Sequence, residues 1–459
     1  MRPTRWRRST HAIVGVGVLA LVAALVAVIG VLNRGDHGTS RAQTVPAPPV
    51  ATANPSVVPV TDAAPMPTSD GLAATLAAVS SDPNLGVFGG RITDAMTAKQ
   101  LWQRADDLPL KPASTNKALT AAASLLAVDP GARVVTRVVA GAQPGVLVLV
   151  GGGDPTLSGA PPGQDTWYHG AARLSDLADQ VRRSGVTPTA VEVDTFAFSG
   201  PTMAPGWDPG DIDGGDIAPI ESVMLDGGRI QPATDQSARS RTPALDAGRA
   251  LAGALGVNPA TVTVVAAPAG AREVAAVRSA PLIERLGEMM NASDNVMAEC
   301  IGREVAAAMH RPLSFAGAVD AVTNRLALAH VDTSHATLMD SSGLSVDDRV
   351  TAQTLGDVMQ AAAGPDQPAL RPLLDVLPIA GGSGTLSNRF INPRSDGQVA
   401  GWLRAKTGSL TAVNSLAGVV TDHSGRVLTF AFISNDAGPT GRTAIDALAA
   451  TLWSCGCLT

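Results

Sequence analysis

The sequence contains few lysines, few aromatic residues and few cysteines. Only four of its 34 basic residues are lysines, namely Lys99, Lys111, Lys117 and Lys406, and the others are arginines. Arginine cannot lose its proton in a protein, so a basic side-chain amine is available at only these four positions. Lys117 ends the segment Ser-Thr-Asn-Lys, and Lys406 begins the segment Lys-Thr-Gly-Ser. These two lysines are therefore the first candidates for a catalytic group.

Aromatic residues make up 3% of the chain, and the formal net charge is −6. A protein that binds nucleic acid would carry a basic surface with interleaved aromatic residues, and the sequence has no such cluster. Nucleic acid is therefore excluded as a partner. With 459 residues, of which 45% are hydrophobic, the chain is long enough for two or three domains with a substantial core.

The N-terminus has the features of an export signal. Several arginines precede an uncharged apolar run at residues 12–32. A helix that crosses a bilayer needs about 20 such residues, and the preceding arginines keep the start of the chain in the cytoplasm. The alternative is a cleaved signal peptide, whose apolar core is about 7–15 residues long. We favour a retained anchor, with residues 1–11 in the cytoplasm and the bulk of the chain exported in either case.

Changes in composition divide the exported part into segments. Residues 33–68 are rich in proline, alanine, threonine and serine, which predicts an extended linker that cannot bury a core. Residues 69–133 include a helix at 113–128 that is apolar almost all round and therefore buried. Short strands alternate with glycine- and proline-rich turns at 134–272, which predicts a mixed α/β module. Helices return at 273–459, so the sequence predicts one discontinuous catalytic domain that is interrupted by an inserted domain.

Three cysteines are present, Cys300, Cys455 and Cys457. Export permits a disulfide, and the odd number leaves one thiol over. Cys300 could pair with either of the other two, and the sequence does not decide between them. Cys455 and Cys457 have no histidine nearby and no second cysteine pair, so we do not predict a metal site there.

The first candidate site is the pair Ser114 and Lys117. Residues three apart on a helix lie on the same face, close enough for the amine to contact the hydroxyl. Pro112 is typical of a helix start, which would place Ser114 in the first turn, where the helix dipole favours negative charge. Serine becomes a good nucleophile when a neighbouring base takes its proton, and a buried lysine can be that base. The alternative is a solvated helix N-terminus, since this spacing is expected about once by chance in such a chain.

The second candidate segment is Ser-Asp-Asn at residues 293–295, which precedes a predicted helix. The hydroxyl of Ser293 could relay protons, and the amide of Asn295 could hold a substrate amide. The alternative is a helix N-cap, for which serine, aspartate and asparagine are all preferred.

The third candidate segment begins at Lys406 on a predicted strand. The hydroxyls of Thr407 and Ser409 could bind a carboxylate, and a backbone N–H could stabilise an oxyanion. Gly408 would let a substrate backbone approach the strand closely. The alternative is a strand end that runs into a turn.

The three segments in this order are far rarer by chance than any one of them. Together they resemble the motifs of the penicillin-binding protein and serine β-lactamase superfamily. The long separation of the first two is similar to that in the D-alanyl-D-alanine carboxypeptidase/endopeptidase family, the class C low-molecular-mass penicillin-binding proteins. The resemblance spans roughly residues 70–455, with an insert shorter than is expected for that group, so its outer subdomain would be reduced or missing. Further segments that carry it lie at residues 112–114, 153–157, 218–222, 340–345 and 384–386.

The resemblance implies both a fold and a reaction. The fold would be α/β (α+β), a penicillin-binding-protein/β-lactamase-like transpeptidase fold with an antiparallel sheet flanked by helices. Ser114 would attack the penultimate D-alanine of a peptidoglycan stem peptide, with Lys117 as general base. The backbone N–H groups of Ser114 and Ser409 would form the oxyanion hole. Ser293 would pass a proton to the leaving group, and Asn295 would hold the substrate amide.

The resemblance also gives Lys406 a task that differs from that of Lys117. With Thr407 and Ser409, Lys406 would bind the terminal carboxylate, stay charged, and keep Lys117 partly neutral by repulsion. Lys117→Arg should then leave almost no activity, whereas Lys406→Arg should leave some. No metal or cofactor is implied, and β-lactams would acylate the nucleophilic serine.

A serine β-lactamase and a catalytically silent cell-wall-binding scaffold are the alternative functions. A β-lactamase rarely needs such an insert or a long linker, and a silent scaffold has no reason to keep two rare lysines. We therefore predict a serine D-Ala-D-Ala carboxypeptidase, with endopeptidase activity left open. It would act in the bacterial cell envelope outside the cytoplasm, anchored to the cytoplasmic membrane by residues 12–32. The sequence leaves the oligomeric state open.

Overall fold

The structure, a computed structural model, describes residues 64–234, 236–392 and 396–454. The predicted cytoplasmic segment and anchor, most of the predicted linker, and Cys455 and Cys457 lie outside these residues. Within them, no helix has both the length and the apolar content that a membrane span requires. Cys300 is buried and has no disulfide partner among the described residues.

The described part of the chain alternates helices with strands of two sheets. The helices are α1 (Ser69–Leu76), α2 (Asn116–Ala127), α3 (Leu174–Arg183), α4 (Gly210–Gly214), α5 (Pro243–Ala254), α6 (Leu282–Ala292), α7 (Asn295–Ala308), α8 (Phe315–Ala327), α9 (Ala352–Ala363), α10 (Pro372–Val376) and α11 (Gly441–Ser454). The strands are β1 (Val87–Asp94), β2 (Gln100–Arg104), β3 (Val135–Ala140), β4 (Val146–Val150), β5 (Ala190–Asp194), β6 (Thr263–Val264), β7 (Glu273–Arg278), β8 (Leu403–Leu410), β9 (Val413–Thr421) and β10 (Val427–Asn435).

The first sheet has the strand order β2-β1-β10-β9-β8, and all its neighbouring strands are antiparallel. Apolar layers cover both of its faces, as β10 illustrates. Phe430 and Phe432 belong to the core shared with α1 and α11, whereas Ala431 and Ile433 belong to the core shared with α2 and α6 to α9. This alternation follows from the two-residue period of a strand. The predicted antiparallel sheet flanked by helices is confirmed.

Helix α2 lies in the middle of the larger core. Every residue from Asn116 to Leu125 is buried. The helix packs against α7, α8 and α9, so the prediction of a helix that is buried on all sides is confirmed. Its start differs from the prediction, because residues Ala113–Thr115 form a separate 3₁₀ turn ahead of it.

The second sheet is mixed and has the order β6-β5-β4-β3-β7. The pairs β4/β5 and β5/β6 are parallel, and β3 pairs antiparallel with both β4 and β7. Leu177 of α3 and Leu251 of α5 share an apolar core with Leu149 and Val193 of this sheet. The described residues all belong to one compact unit, and the domain boundaries at residues 134 and 272 stay predictions.

Two helices follow each other almost directly in the segment where the sequence predicts helices again, since α6 ends at Ala292 and α7 begins at Asn295. Ser293 has a φ of +56°, in the left-handed region that residues with a side chain rarely adopt. Asp294 caps α7, because its Oδ1 accepts the Met297 N–H at 3.0 Å. The break separates two helices that both pack against α2.

Candidate active site

Ser114 lies in the 3₁₀ turn that leads into α2. Ala113 before it has a φ of +48°, a conformation that is strained for a residue other than glycine. Gly343 packs against this turn so closely that a Cβ atom there would lie 1.9 Å from the Ala113 carbonyl oxygen. A loop from far along the chain therefore clamps the turn that carries Ser114.

Lys117 lies in the first turn of α2, and its side chain is completely buried. Its Nζ is 2.9 Å from Ser114 Oγ, 2.6 Å from Asn295 Oδ1 and 2.8 Å from the Ser342 carbonyl oxygen. Burial lowers the pKa of Lys117 from 10.5 to about 8, although the charges of nearby carboxylates, Asp340, Glu299 and Asp294, act in the opposite direction. A substantial fraction of this amine is therefore neutral at moderately alkaline pH.

The contacts of Lys117 suit a neutral amine. Asn295 Oδ1 and the Ser342 carbonyl oxygen can only accept hydrogen bonds, so they take the two N–H groups of the neutral form. The lone pair is then left for the third contact, which is Ser114 Oγ at 2.9 Å. This arrangement lets Lys117 take the hydroxyl proton of Ser114.

The amide of Asn295 is held in a defined orientation. Its Nδ2 donates to the Asp216 carbonyl oxygen at 3.0 Å, and this leaves Oδ1 for the lysine amine. Ser293 and Asn295 line the site, while Asp294 between them caps α7. The helix cap expected for the segment at 293–295 is therefore provided by Asp294, whereas the roles expected for Ser293 and Asn295 stay predictions.

Lys406 of β8 is also completely buried. Its Nζ donates to Ser293 Oγ and to the Thr407 carbonyl oxygen, both at 2.9 Å. Burial lowers the pKa of Lys406 well below 10.5, and the charges of Lys117 and Arg389 lower it further. The expectation that Lys406 stays charged and thereby keeps Lys117 neutral is not supported, because burial is the largest cause at both lysines.

Thr407 and Gly408 continue β8 beside the turn that carries Ser114. Thr407 Oγ1 is 2.8 Å from Oγ1 of Thr385, in the 3₁₀ turn at Gly384–Leu386. A Cβ atom on Gly408 would lie 2.7 Å from the Pro112 carbonyl oxygen and 3.0 Å from the Ser114 nitrogen. The protein's own chain therefore occupies the space that a side chain at position 408 would need, and the approach of a substrate backbone to this strand stays a prediction.

The loop that begins at Asp340 is organised by this residue's carboxylate, which accepts three backbone N–H groups. These belong to Ser342, Gly343 and Ser345, at 3.1, 2.6 and 2.7 Å. A fourth donor is the indole Nε1 of Trp207, at 2.7 Å. These four donors hold the loop whose Ser342 carbonyl oxygen accepts a hydrogen bond from Lys117 Nζ.

Two more buried carboxyl groups lie near Lys117. Burial raises the pKa of Glu299 to about 8 and that of Asp348 to about 10. Glu299 Oε1 accepts a backbone N–H of the same loop at 2.9 Å. As a carboxylate, Asp348 would leave its buried Oδ2 without a partner, whereas the protonated form donates to Asp340.

A cavity of about 780 Å³ joins the three candidate segments. Ser114, Ser293, Asn295 and the exposed Ser409 line it, and the two lysines, Thr407 and Gly408 lie directly behind these residues through the contacts given above. The structure thus brings all eight predicted site residues together. The cavity is also lined by Lys111 and by the carboxylates of Asp208, Asp211 and Asp216.

Three contributors to the site had no role in the sequence-based prediction. Ser342 acts through its backbone carbonyl, and Asp340 acts by holding the loop. The segment that contains both residues, 340–345, could be recognised by its family resemblance, but the resemblance did not indicate what the segment does. Trp207 is 133 residues from its partner Asp340, and no local pattern could have indicated this contact.

Comparisons with known proteins identify the family. A family model described as the D-Ala-D-Ala carboxypeptidase 3 (S13) family matches residues 72–239 and 233–452. A second one, described as Carboxypeptidase Rv3627c-like, N-terminal domain, matches residues 1–59. Carboxypeptidase Rv3627c of Mycobacterium tuberculosis is 68% identical to this chain over 461 residues, which cover 100% of both chains.

Solved structures share the fold. Penicillin binding protein 4 (dacB) from Haemophilus influenzae superposes with a TM-score of 0.68 at 23% identity, covering 86% of this chain and 100% of that chain. Its complex with a β-lactam has a TM-score of 0.61 at 22% identity, covering 84% and 99%. The family resemblance inferred from the three motifs is confirmed. The chain belongs to the D-Ala-D-Ala carboxypeptidase 3 (S13) family and is a serine-type D-Ala-D-Ala carboxypeptidase.

Proposed function

We propose that the enzyme removes the terminal D-alanine of peptidoglycan stem peptides through an ester on Ser114. Ser114 Oγ attacks the carbonyl carbon of the penultimate D-alanine while Lys117 takes the hydroxyl proton. The backbone N–H groups of Ser114 and Ser409 stabilise the oxyanion. The amide bond then breaks, the terminal D-alanine leaves with a proton on its amine, and water hydrolyses the ester.

The observation that carries this assignment is the set of contacts made by Lys117. A buried amine with two pure acceptors and one serine hydroxyl around it has its lone pair available only toward that hydroxyl. A solvated helix N-terminus would not place a lysine in this environment. Ser114 is accordingly the nucleophile and Lys117 the general base.

Ser293, Asn295 and Lys406 are assigned to the leaving group and the substrate. Ser293 passes to the leaving amine the proton that the general base received, and its contact with Lys406 holds the hydroxyl in place. The amide nitrogen of Asn295 has a second N–H, which holds a substrate amide oxygen. Bound substrate brings its terminal carboxylate to Lys406, Thr407 and Ser409, and this negative charge raises the pKa of the Lys406 amine.

The same serine is proposed to react with β-lactams. Their strained amide mimics the D-Ala-D-Ala end of the substrate, so attack by Ser114 opens the ring and leaves a covalent adduct. The β-lactam complex of the structurally similar protein from H. influenzae supports this proposal.

Fluorescent penicillin and a diacylated Lys-D-Ala-D-Ala peptide test the proposal on the full-length protein. We expect a stable fluorescent adduct and release of D-alanine. Ser114→Ala should give neither, because among the described residues no other hydroxyl is hydrogen-bonded to the amine of Lys117. Ser124→Ala is a matched control, since Ser124 is a buried serine of the same helix whose hydroxyl bonds the Ala121 carbonyl oxygen at 2.8 Å.

The outcomes separate the alternative functions. Rapid hydrolysis of penicillin without a lasting adduct would indicate a β-lactamase, and neither adduct nor D-alanine would indicate a silent scaffold. Cleavage of cross-linked muropeptides in place of D-alanine release would indicate an endopeptidase. An undiminished adduct in Ser114→Ala would exclude this serine as the nucleophile.

We also propose that residues 12–32 anchor the enzyme on the outer face of the cytoplasmic membrane. The length of the apolar run and the arginines before it support an anchor, with residues 33–68 as a spacer. The enzyme is expected to sediment with membranes, and removal of residues 1–32 behind a cleavable export signal should release it in soluble, active form. A soluble wild-type protein that starts near residue 33 would instead identify a cleaved signal peptide.

A further inference from the structure

The chain contains a single tyrosine, Tyr168, in the connection between β4 and α3. It is 2% exposed, and its ring belongs to the same apolar core as α2 and α7. A buried phenol needs a hydrogen-bond partner. Its hydroxyl donates to Asp294 Oδ2 at 2.7 Å, across 126 residues of sequence. The partner is therefore the middle residue of the segment that supplies Ser293 and Asn295.

The space around the phenol oxygen is fitted to a hydroxyl group. Gly227, with a φ of +63°, lies against it, and a Cβ atom there would be 2.4 Å from the Tyr168 oxygen. The same Cβ atom would be 2.8 Å from Nη1 of Arg239, which donates to the Gly227 carbonyl oxygen at 2.6 Å. Only a residue without a side chain fits between the phenol and the guanidinium.

Asp294 has a fixed partner for each carboxylate oxygen. Oδ1 accepts the Met297 N–H at 3.0 Å and so caps α7, while Oδ2 accepts the Tyr168 hydroxyl. Burial opposes ionisation of Asp294, but the charge of Arg239 and these two hydrogen bonds lower its pKa below 3.8. The carboxylate is thus charged, and it cannot rotate without losing a partner.

The residues on either side of Asp294 each contact a catalytic lysine. Ser293, in the left-handed conformation, accepts from Lys406 at 2.9 Å. Asn295, the first residue of α7, accepts from Lys117 at 2.6 Å. A rotation of the chain at Asp294 would therefore move both acceptors away from both amines at once.

We propose that Tyr168 is a positioning residue for catalysis, which acts through Asp294 to hold Ser293 and Asn295 against the two lysines. It does not touch the substrate. The inference rests on the roles proposed above for these four residues. The contact originates in the segment predicted as an inserted domain, so that segment takes part in building the active site.

A purely structural role makes a different prediction. If the phenol only stabilised the fold, its loss would lower the melting temperature and leave the rate of acylation per folded molecule unchanged. If it positions the site, the rate falls because the proton relay is displaced, whereas substrate binding at β8 changes little. The division between kcat and KM therefore distinguishes the two roles.

Tyr168→Phe keeps the ring and removes only the hydroxyl. We expect kcat for D-alanine release and the rate of acylation by fluorescent penicillin to fall about tenfold, with KM within about twofold of wild type. Ser279→Ala is the matched control, because Ser279 is fully buried and its hydroxyl accepts the Val134 N–H at 2.9 Å, with no contact to the site. This variant should lose stability and keep its rates. Equal rates in Tyr168→Phe and wild type would overturn the proposal.

A second measurement does not depend on activity. Because Tyr168 is the only tyrosine, the near-ultraviolet absorbance of tyrosinate reports this residue alone. Burial and the charge of Asp294 raise the pKa of Tyr168 well above 10, so no tyrosinate should form at pH 10 while the protein is folded. In Asp294→Asn it should form at lower pH than in wild type. Titration of Tyr168 near pH 10 in the wild type, or an unchanged pKa of Tyr168 in Asp294→Asn, would contradict the hydrogen bond between Tyr168 and Asp294.

The two measurements keep this inference separate from the proposed function. Failure of the proposed function would show as a wild-type protein without adduct or D-alanine release, whatever Tyr168 does in the titration. If Tyr168→Phe does not fold, the Asp294→Asn titration still decides whether the contact exists. If Tyr168→Phe folds, the variant that combines it with Asp294→Asn tests whether the two residues act together. Its fold-loss in acylation rate should then be smaller than the product of the two single losses. A loss equal to that product would contradict the proposal.

Discussion

Lys117→Arg is expected to lower the rate of acylation by penicillin about 10³-fold, within the range that a positioned general base contributes. A guanidinium stays protonated at every pH at which the protein is folded, so it has no lone pair for the Ser114 proton. The amine that it replaces is completely buried among three oxygen atoms at 2.6 to 2.9 Å. The measurement is the second-order rate constant for adduct formation, with circular dichroism to establish that the variant is folded.

Three further variants show whether the lost base explains this result. Lys117→Met removes the amine but keeps a side chain of similar length, and it should lower the acylation rate as much as Lys117→Arg does. That result would show that the bulk of the guanidinium is not the cause of the loss. Lys99→Arg alters an exposed lysine and should react like wild type. Lys406→Arg should lose about 10- to 100-fold, because it can still donate to Ser293 and bind a carboxylate but must fit a fully buried site. Equal losses at positions 117 and 406 would contradict the separate roles of the two lysines.

Acylation is expected to accelerate with rising pH and to level off above about pH 8, where the pKa of Lys117 lies. The reactive form is the neutral amine, whose fraction falls about tenfold per pH unit below the pKa, so the acid limb should approach that slope. Glu299, with a pKa of about 8, ionises over the same range and favours the charged amine, so the transition should be broader than for a single group. The rate constant for penicillin, measured across this range at constant ionic strength, gives the profile.

Two substitutions of aspartate by asparagine should affect this profile differently. Asp294 is charged and raises the pKa of Lys117, so Asp294→Asn should move the acid limb to lower pH. Asp348 has a pKa of about 10 and is already neutral across the acid limb, so Asp348→Asn should leave the limb in place. A limb that moves equally in both variants, or in neither, would show that Asp294 does not influence the pKa of the reactive group.

The sequence was sufficient to identify the groups that meet in the site, because their spacing and type are local properties. The pair Ser114 and Lys117 is one helical turn apart, and the buried helix that carries it could be recognised from its apolar composition. The helix start after residues 293–295 was expected, but the left-handed conformation of Ser293 was not, since it leaves no mark on hydrophobic periodicity.

Contacts between distant parts of the chain could not be predicted. The Ser342 carbonyl lies 225 residues from Lys117, and Tyr168 lies 126 residues from Asp294. Such pairs depend on how the elements pack and not on any local pattern. The close contact at Gly408 was not predicted for the same reason, because the chain on the side where a Cβ would lie comes from the turn at Pro112 and Ser114.

The three oxygen atoms around the Lys117 amine also determine when the enzyme becomes active during its own folding. One belongs to Ser114, three residues before Lys117, and the other two belong to residues 178 and 225 positions further along the chain. Such non-local contacts require the closure of long loops. A chain that has formed only α2 would hold the serine and the lysine but would leave the amine hydrated and protonated. Reactivity toward penicillin therefore appears only after the distant segments have docked. Penicillin labelling thus detects molecules that have completed folding and does not detect partly folded ones.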